Sequence, residues 1–237
     1  MRIIDAKSAS LRALLAQQIP KTNRCLFHTG LAALDEIAPG GGFRCGAIHE
    51  LLFDSAAPSP KSFALLLAGA AQSATGGVIV WSDPRRELYP AAVSAAGLDL
   101  RRLILLRPRN AAHELSMLSE CLRCRGVSAT VANLNRLSNI EARRLQLAAE
   151  SGGGVGIFLR PTLKGSASNY AAATRWLARS ALKDGDSQSW IIELLHGHGG
   201  RLGSTVLLEV DRETGHVRAS AELANRAAVT PQKRATA

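Results

Sequence analysis

The sequence predicts an α/β protein whose central sheet is mostly parallel and flanked by helices. Short apolar runs alternate with amphipathic or alanine-rich segments, and the links between them are short. Hydrophobic residues make up 46% of the 237 residues but aromatic residues only 4%, so aliphatic side chains must fill most of the core. A chain of this length can bury such a core in one domain.

The N-terminal segment has the pattern of an appendage to this domain. Apolar residues recur at helical spacing over Leu11–Gln18, Pro20 ends the predicted helix, and the basic linker Lys21–Arg24 follows. Thr29 is then placed to cap a short helix that turns Leu31 and Leu34 inward.

Alternating strands and helices make up the main part of the chain. Each predicted strand is a short apolar run bounded by turn residues, and each predicted helix has apolar residues at helical spacing or is rich in alanine. In chain order these elements are strand Gly46–Phe53, helix Phe63–Ala74, strand Val78–Trp81, helix Tyr89–Ala96, strand Leu103–Leu106, helix His113–Cys124, strand Val127–Leu134, helix Asn139–Ala149 and strand Val155–Leu159. Strands connected through helices in this way form a parallel sheet.

The C-terminal part is predicted to end in antiparallel strands. The alanine-rich run Ala171–Leu182 predicts a further helix. Trp190–Leu195 and Ser204–Val210 then predict paired strands, and Asp211–Gly215 has the composition of a hairpin turn. We therefore expect a β-hairpin extension at the end of the parallel sheet.

These patterns divide the chain into three parts. Residues 1–24 are predicted to be an N-terminal helix with a basic linker, and residues 25–217 to be the core domain. Residues 218–237 are predicted to be a basic, disordered tail that contains Lys233 and Arg234.

The link between the first core strand and its helix resembles a phosphate-binding loop without its glycines. The functional motif is Gly, four residues, then Gly-Lys-Ser/Thr, because backbone N–H groups must surround the phosphates. Lys61 and Ser62 match its end, but Ser55 and Pro60 replace the glycines, and proline has no N–H to donate. We therefore predict a degenerate loop and no cofactor, with ATP binding through Lys61 and Ser62 as the alternative.

Charge and hydropathy limit the classes of partner. The net charge is +10 and the pI is about 10.2, which favours polyanions or acidic proteins as partners. No apolar run is long enough to span a membrane, and the N-terminus lacks the profile of a signal peptide. We expect a cytoplasmic protein that does not bind membranes.

A metal centre is not expected. Cys121 and Cys124 form a single C-x-x-C motif within a predicted helix, without the second pair that a zinc site requires.

Short motifs at the start of the core domain resemble the entry to the RecA fold. In the RecA family a threonine–glycine pair, a leucine–aspartate pair and three glycines precede the first core strand. This chain carries them at Thr29–Gly30, Leu34–Asp35 and Gly40–Gly42. The resemblance implies a RecA-like fold.

Three C-terminal stretches resemble the ImuA family of RecA-related accessory proteins. They are Ala172–Trp176, Trp190–Gly200 and Ser204–Gly215. The combined resemblance spans about Cys25–Val217.

The resemblance implies a non-catalytic function in translesion DNA synthesis after DNA damage, as part of SOS mutagenesis. ImuA-family proteins work with ImuB, an inactive relative of lesion-bypass polymerases, and with an error-prone replicative-type DNA polymerase. The implied partners are therefore an ImuB-type protein and that polymerase, with RecA as a further candidate.

The resemblance also implies roles for individual residues. Asp83 lies where RecA has the acidic residue that activates water, and Asn133 replaces the aspartate that helps to hold magnesium. Arg160 and Lys164 are the two positive charges of the segment Arg160–Tyr170, which corresponds to a DNA-binding loop of RecA, and this makes them candidates for contact with DNA phosphates.

The N-terminal helix is a candidate partner interface. RecA-type proteins associate by laying an N-terminal helix on a neighbouring core. Helical spacing predicts one apolar face here, formed by Leu11, Leu14, Leu15 and Ile19. This face could equally pack on its own domain.

Two other functions remain open. The chain could be a RecA-like, DNA-dependent ATPase with a divergent phosphate loop, which Lys61, Ser62 and Asp83 favour. It could also be a cell-division inhibitor resembling SulA, which shares a degenerate RecA-like core.

Overall fold

The computed structural model describes residues 1–5, 26–162, 171–181, 188–211 and 214–220. The predicted helix Leu11–Gln18 and the basic linker therefore lie outside the described residues. The predicted interface residues Leu11, Leu14, Leu15 and Ile19 and the predicted tail beyond residue 220 also lie outside them.

One large sheet runs through the described part of the chain. The strands are β1 (Arg2–Asp5), β2 (Leu26–Phe27), β3 (Phe43–Arg44), β4 (Ile48–Asp54), β5 (Val78–Ser82), β6 (Leu103–Arg107), β7 (Val127–Asn133), β8 (Val155–Thr162), β9 (Thr174–Ala181), β10 (Gln188–Gly197), β11 (Thr205–Val210) and β12 (Val217–Ser220). Within the described ranges, ten of them form a sheet in the order β1-β6-β5-β7-β8-β4-β9-β10-β11-β12, while β2 pairs with β3.

The sheet changes from parallel to antiparallel at β9. Every neighbouring pair from β1 to β9 in the sheet order is parallel. The pairs β9–β10, β10–β11 and β11–β12 are antiparallel. This confirms the mostly parallel sheet and the C-terminal hairpin, and it adds the edge strand β1, which the sequence pattern does not predict.

Helices cover both faces of the parallel part. They are α1 (Ala32–Ile37), α2 (Lys61–Thr75), α3 (Pro90–Ala95), α4 (Ala111–Arg123) and α5 (Asn139–Gly152). Helices α1 to α3 bury their apolar side chains in one core cluster with the β4 residues Leu51 and Phe53. Helices α4 and α5 bury theirs in a second cluster with Ile48, on the opposite face of β4.

The predicted helix Ala171–Leu182 is wrong, because this segment contains strand β9. Its residues alternate in burial: Thr174, Trp176 and Ala178 point into the core, while the residues between them are partly exposed. Alanine, leucine and arginine favour a helix, but this period of two fits a strand. Packing of Trp176 in the core outweighs the intrinsic propensity of the segment.

An aromatic cluster joins the β2–β3 strand pair to the large sheet. The ring of Phe43 stacks on Trp176 with centroids 5.4 Å apart, and the edge of His49 meets Phe43 at the same distance. His49 is fully buried, with Nδ1 2.7 Å from Thr174 Oγ1 and Nε2 3.0 Å from the carbonyl oxygen of Arg44. Burial lowers the pKa of His49 to about 4, so the ring is neutral and belongs to the core.

The threonine–glycine and leucine–aspartate motifs meet at α1. The carboxylate of Asp35 accepts hydrogen bonds from the Thr29 hydroxyl and from the backbone N–H groups of Thr29 and Gly30. The predicted short helix with a buried Leu34 is confirmed, but the predicted cap is wrong, because Leu31 occupies the N-cap position. Asp35 holds Thr29 instead.

An ion-pair network joins the three central strands β8, β4 and β9. The carboxylate of Glu50 on β4 accepts from Arg160 Nη1 at 2.7 Å and from Arg175 Nε at 2.9 Å. The Glu50 side chain is 1% exposed, and the two arginine side chains are 9% and 13% exposed. A carboxylate buried this deeply requires such partners.

None of the helices in the described ranges combines the length and the apolar character needed to cross a membrane.

Replacement of Glu50 is predicted to destabilise the fold strongly. Glu50→Ala removes the carboxylate to which two largely buried guanidinium groups donate, so the free energy of unfolding should fall by about 3–5 kcal/mol. Chemical denaturation measures this change. Glu193→Ala is the matched control, because Glu193 pairs with the half-exposed Arg179 at 2.8 Å, and its loss should cost at most about 1 kcal/mol. Equal losses in the two variants would contradict the role of Glu50.

Candidate functional site

A cavity of about 460 Å3 opens at the carboxyl ends of β5 and β7. These two strands form a topological switch point, because the chain continues from β5 to β6 on one side and from β7 to β8 on the other. Ligands of open α/β sheets bind at such switch points. Of the sequence-predicted residues, Lys61, Asp83 and Asn133 line this cavity.

The Lys61 ammonium group is paired with a carboxylate of the same chain. Its Nζ atom lies 3.0 Å from Oε2 of Glu87, which also lines the cavity. The hydrogen bond from Lys61 and its charge hold the pKa of the Glu87 carboxyl below the ordinary value. Glu87 therefore occupies a position at Lys61 that an anion would take.

Backbone donors of the loop between β4 and α2 are used within the loop. Ala57 N–H donates to the Asp54 carbonyl oxygen and Lys61 N–H to the Ser59 carbonyl oxygen. Ala56 N–H donates to the Asp54 carboxylate at 2.9 Å. Pro60 lies at the N-cap of α2 with its nitrogen unable to donate. These three donors therefore bind oxygen atoms of their own loop.

Asp83 fixes the turn that carries Glu87. Its carboxylate is 5% exposed and accepts from the backbone N–H groups of Glu87 at 2.8 Å and of Leu88 at 3.3 Å. Arg86, within this turn, has a φ of 57°, a left-handed conformation that non-glycine residues rarely adopt. Asp83 thus positions the backbone of the residue that pairs with Lys61.

Ser62 and Lys61 line different cavities. Ser62 lines a different cavity, which is formed with Thr29, Gly30 and the turn between β11 and β12. The predicted pair of binding residues is therefore divided between two cavities, although the two residues are adjacent in sequence.

Glu114 is a site residue that the sequence reasoning missed. It lies on α4, lines the cavity and is 9% exposed. The Ser82 hydroxyl at the end of β5 donates to its Oε1 atom at 2.6 Å. Burial raises the pKa of the Glu114 carboxyl, and the hydrogen bond from Ser82 only partly opposes this. The signal in the sequence was an acidic residue inside the apolar pattern of a helix.

Of the two residues predicted to contact DNA, the structure describes only Arg160, which does not line this cavity. Arg160 is buried at the centre of the sheet and donates to Glu50, whereas Lys164 lies outside the described residues. Their contact with DNA stays a prediction.

The C-x-x-C motif lies at the end of α4. Cys121 is fully buried in the second core cluster, where burial raises the pKa of its thiol well above the ordinary range. Among the described residues, no group of three or more His, Cys, Asp and Glu side chains is arranged to hold a metal ion.

Comparison with known proteins identifies two sequence relatives. Each is Protein ImuA of Caulobacter vibrioides, from strains NA1000 / CB15N and ATCC 19089 / CIP 103742 / CB 15. Each is 31% identical to this chain over 206 residues, which are 79% of this chain and 84% of the relative. No family model matches the chain.

Removal of the Glu87 carboxylate is predicted to free Lys61 for anions. Glu87→Gln should raise the affinity for inorganic pyrophosphate by about two- to fivefold, the range that an exposed ion pair is worth. Isothermal titration calorimetry measures this affinity, and Lys61→Ala in the same background should abolish the gain. The control Glu36→Gln makes the same charge change at an exposed position on α1. An equal gain in that control would mean that net charge, rather than Lys61, attracts the anion.

Glu114 is predicted to give a pH-dependent stability. Its raised folded-state pKa means that the ionised carboxyl costs stability at neutral pH, and that this cost disappears as the pH falls through the folded-state pKa. Glu114→Gln keeps an acceptor for Ser82, so it should stabilise the protein at pH 7 and lose this advantage in acid. Denaturation at several pH values measures the effect. Glu120→Gln, beside Arg123 on the same helix, should show no such gain.

Proposed function

This chain belongs to the ImuA family, and we propose that it is a non-catalytic accessory protein of translesion DNA synthesis after DNA damage. In this proposal the protein acts by binding other proteins of the SOS mutagenesis machinery. Its partners are an ImuB-type protein, the error-prone replicative-type DNA polymerase and, as a further candidate, RecA.

The contacts of Lys61 carry the proposal that the protein is not an enzyme. A catalytic phosphate loop needs a lysine and a set of backbone N–H groups directed at the phosphates. Here the Lys61 ammonium binds Glu87, and its backbone N–H binds Ser59. The ammonium group and the backbone N–H of the residue that would hold a phosphate therefore each bind an oxygen atom of the same chain.

The rest of the cavity fits magnesium and a triphosphate poorly. Asn133 has no charge for a metal ion, and Ser62 lines another cavity. The carboxylate of Asp83 is occupied by two backbone N–H groups, so it is poorly placed to activate water. Hard cations such as Mg²⁺ prefer charged oxygen ligands together with substrate phosphates.

One observation favours a second function, that of a RecA-like ATPase. Lys61 and Asp83 line the same cavity at a topological switch point, as they would in a RecA-like ATPase. Such an ATPase would need Glu87 to leave Lys61 and the loop to change its hydrogen bonds when nucleotide binds.

Nucleotide and partner binding by the purified full chain test the proposal together. We expect no Mg-ATP hydrolysis, no rise in melting temperature with Mg-ATP, and saturable calorimetric binding to an ImuB-type protein. Lys61→Ala should leave this partner binding unchanged, because the ammonium group binds Glu87 rather than a ligand.

The opposite results identify the alternative. Saturable ATP binding with turnover that Lys61→Ala abolishes would establish a divergent RecA-like ATPase. If the chain neither hydrolyses ATP nor binds the ImuB-type protein, the proposed accessory function is contradicted.

A further inference from the structure

The outer surface of α5 carries large aliphatic side chains in contact with solvent. Ile140 is 83% exposed and Leu147 is 48% exposed, and the two lie seven positions apart on one stripe of the helix. Exposed side chains of this size are common singly, but a group of them often marks an interaction surface. A shallow depression joins them to the end of α4.

Stability of α5 does not require these side chains. The helix already buries a full inner face against the sheet, formed by Ala142, Leu145, Ala148 and Ala149. Its first turn is fixed by a capping box, in which Ser138 and Glu141 bind each other reciprocally. Ile140 and Leu147 thus lie outside both the core and the cap.

Arginines surround the two aliphatic side chains. Arg143 and Arg144 lie between them on α5, and Arg123 reaches the same depression from the last turn of α4. Arg143 donates to Gln146 at 2.8 Å, and Arg123 lies 3.9 Å from Glu120. We call this surface the α5 patch. It consists of Arg123, Asn139, Ile140, Arg143, Arg144 and Leu147.

We propose that the α5 patch binds an acidic amphipathic helix of a partner protein. The aliphatic pair provides the apolar contact that such a helix buries in a groove, and arginine is enriched in protein interfaces. Carboxylates on the partner would pair with the three guanidinium groups, and the net charge of +10 would speed the encounter with an acidic chain. This goes beyond the proposed function, since it assigns a surface and a partner chemistry.

A nucleic acid fits the α5 patch less well than a protein helix. Guanidinium groups bind phosphates, but a phosphate backbone offers nothing apolar to Ile140 and Leu147. The aliphatic pair at the centre of the patch therefore favours a protein helix over a nucleic acid.

Site-specific photo-cross-linking identifies the occupant. The photoreactive residue p-benzoylphenylalanine replaces Ile140 in the full chain, in cells exposed to a DNA-damaging agent, and mass spectrometry locates the linked segment. We expect an acidic segment with apolar residues three and four positions apart. The same photoreactive residue at Leu202, which is 61% exposed, is the matched control position.

A synthetic peptide with the sequence of the cross-linked segment then tests whether the arginines of the α5 patch recognise its carboxylates. Arg143→Glu with Arg144→Glu should weaken peptide binding in fluorescence anisotropy by about tenfold or more, and a peptide with glutamates changed to lysine should restore it. Arg109→Glu with Arg218→Glu makes the same charge change at exposed positions outside the α5 patch and should have little effect. The melting temperature of each variant shows that it is folded.

Several results would overturn the proposal. Cross-linking at Ile140 no stronger than at Leu202 would be one such result, and cross-linking to DNA or to residues 6–25 of the same chain would be another. The third is peptide affinity that the charge reversal does not weaken. Binding of an ImuB-type protein is measured separately with the α5 patch variants. If the unmodified chain binds an ImuB-type protein but cross-linking at Ile140 yields no acidic segment, the accessory function stands and only the assignment of this surface fails.

Discussion

The buried carboxylate of Glu50 binds both strands that flank β4, and the architecture on either side depends on this junction. Through Arg160 it reaches β8 and the parallel half of the sheet, and through Arg175 it reaches β9, where the antiparallel half begins. Trp176 and His49 pack on the opposite face of the same strands. One short stretch of β4 therefore holds the RecA-like part and the C-terminal extension in a single sheet.

The scaffold places a cavity where α/β proteins bind ligands, but the side chains at that cavity bind one another. Asp83 holds the turn that carries Glu87, and Glu87 binds Lys61. These contacts stabilise the loop and the turn at the carboxyl end of the sheet. The outer surface of α5, in contrast, exposes Ile140 and Leu147 beside three arginines.

Sequence patterns predicted the parts of this protein that depend on local periodicity. The buried strands and the helices between them follow from the apolar runs and their spacing. Strand β9 was mistaken for a helix because its composition favours helices, and only the burial of Trp176 reveals its alternation. The pairing of Lys61 with Glu87 and the burial of Glu114 depend on contacts between distant segments, which no local pattern contains.

The position of β4 also determines how the chain can fold during its synthesis. Glu50 is separated from Arg160 by 110 residues and from Arg175 by 125 residues, so β4 leaves the ribosome long before either neighbouring strand. At about 5–20 residues per second, both edges of this apolar strand lack their partners for roughly 5–25 s. Sheets with such distant pairings fold slowly and expose edges that aggregate. Slower synthesis therefore lengthens the time during which the unpaired edges of β4 can aggregate.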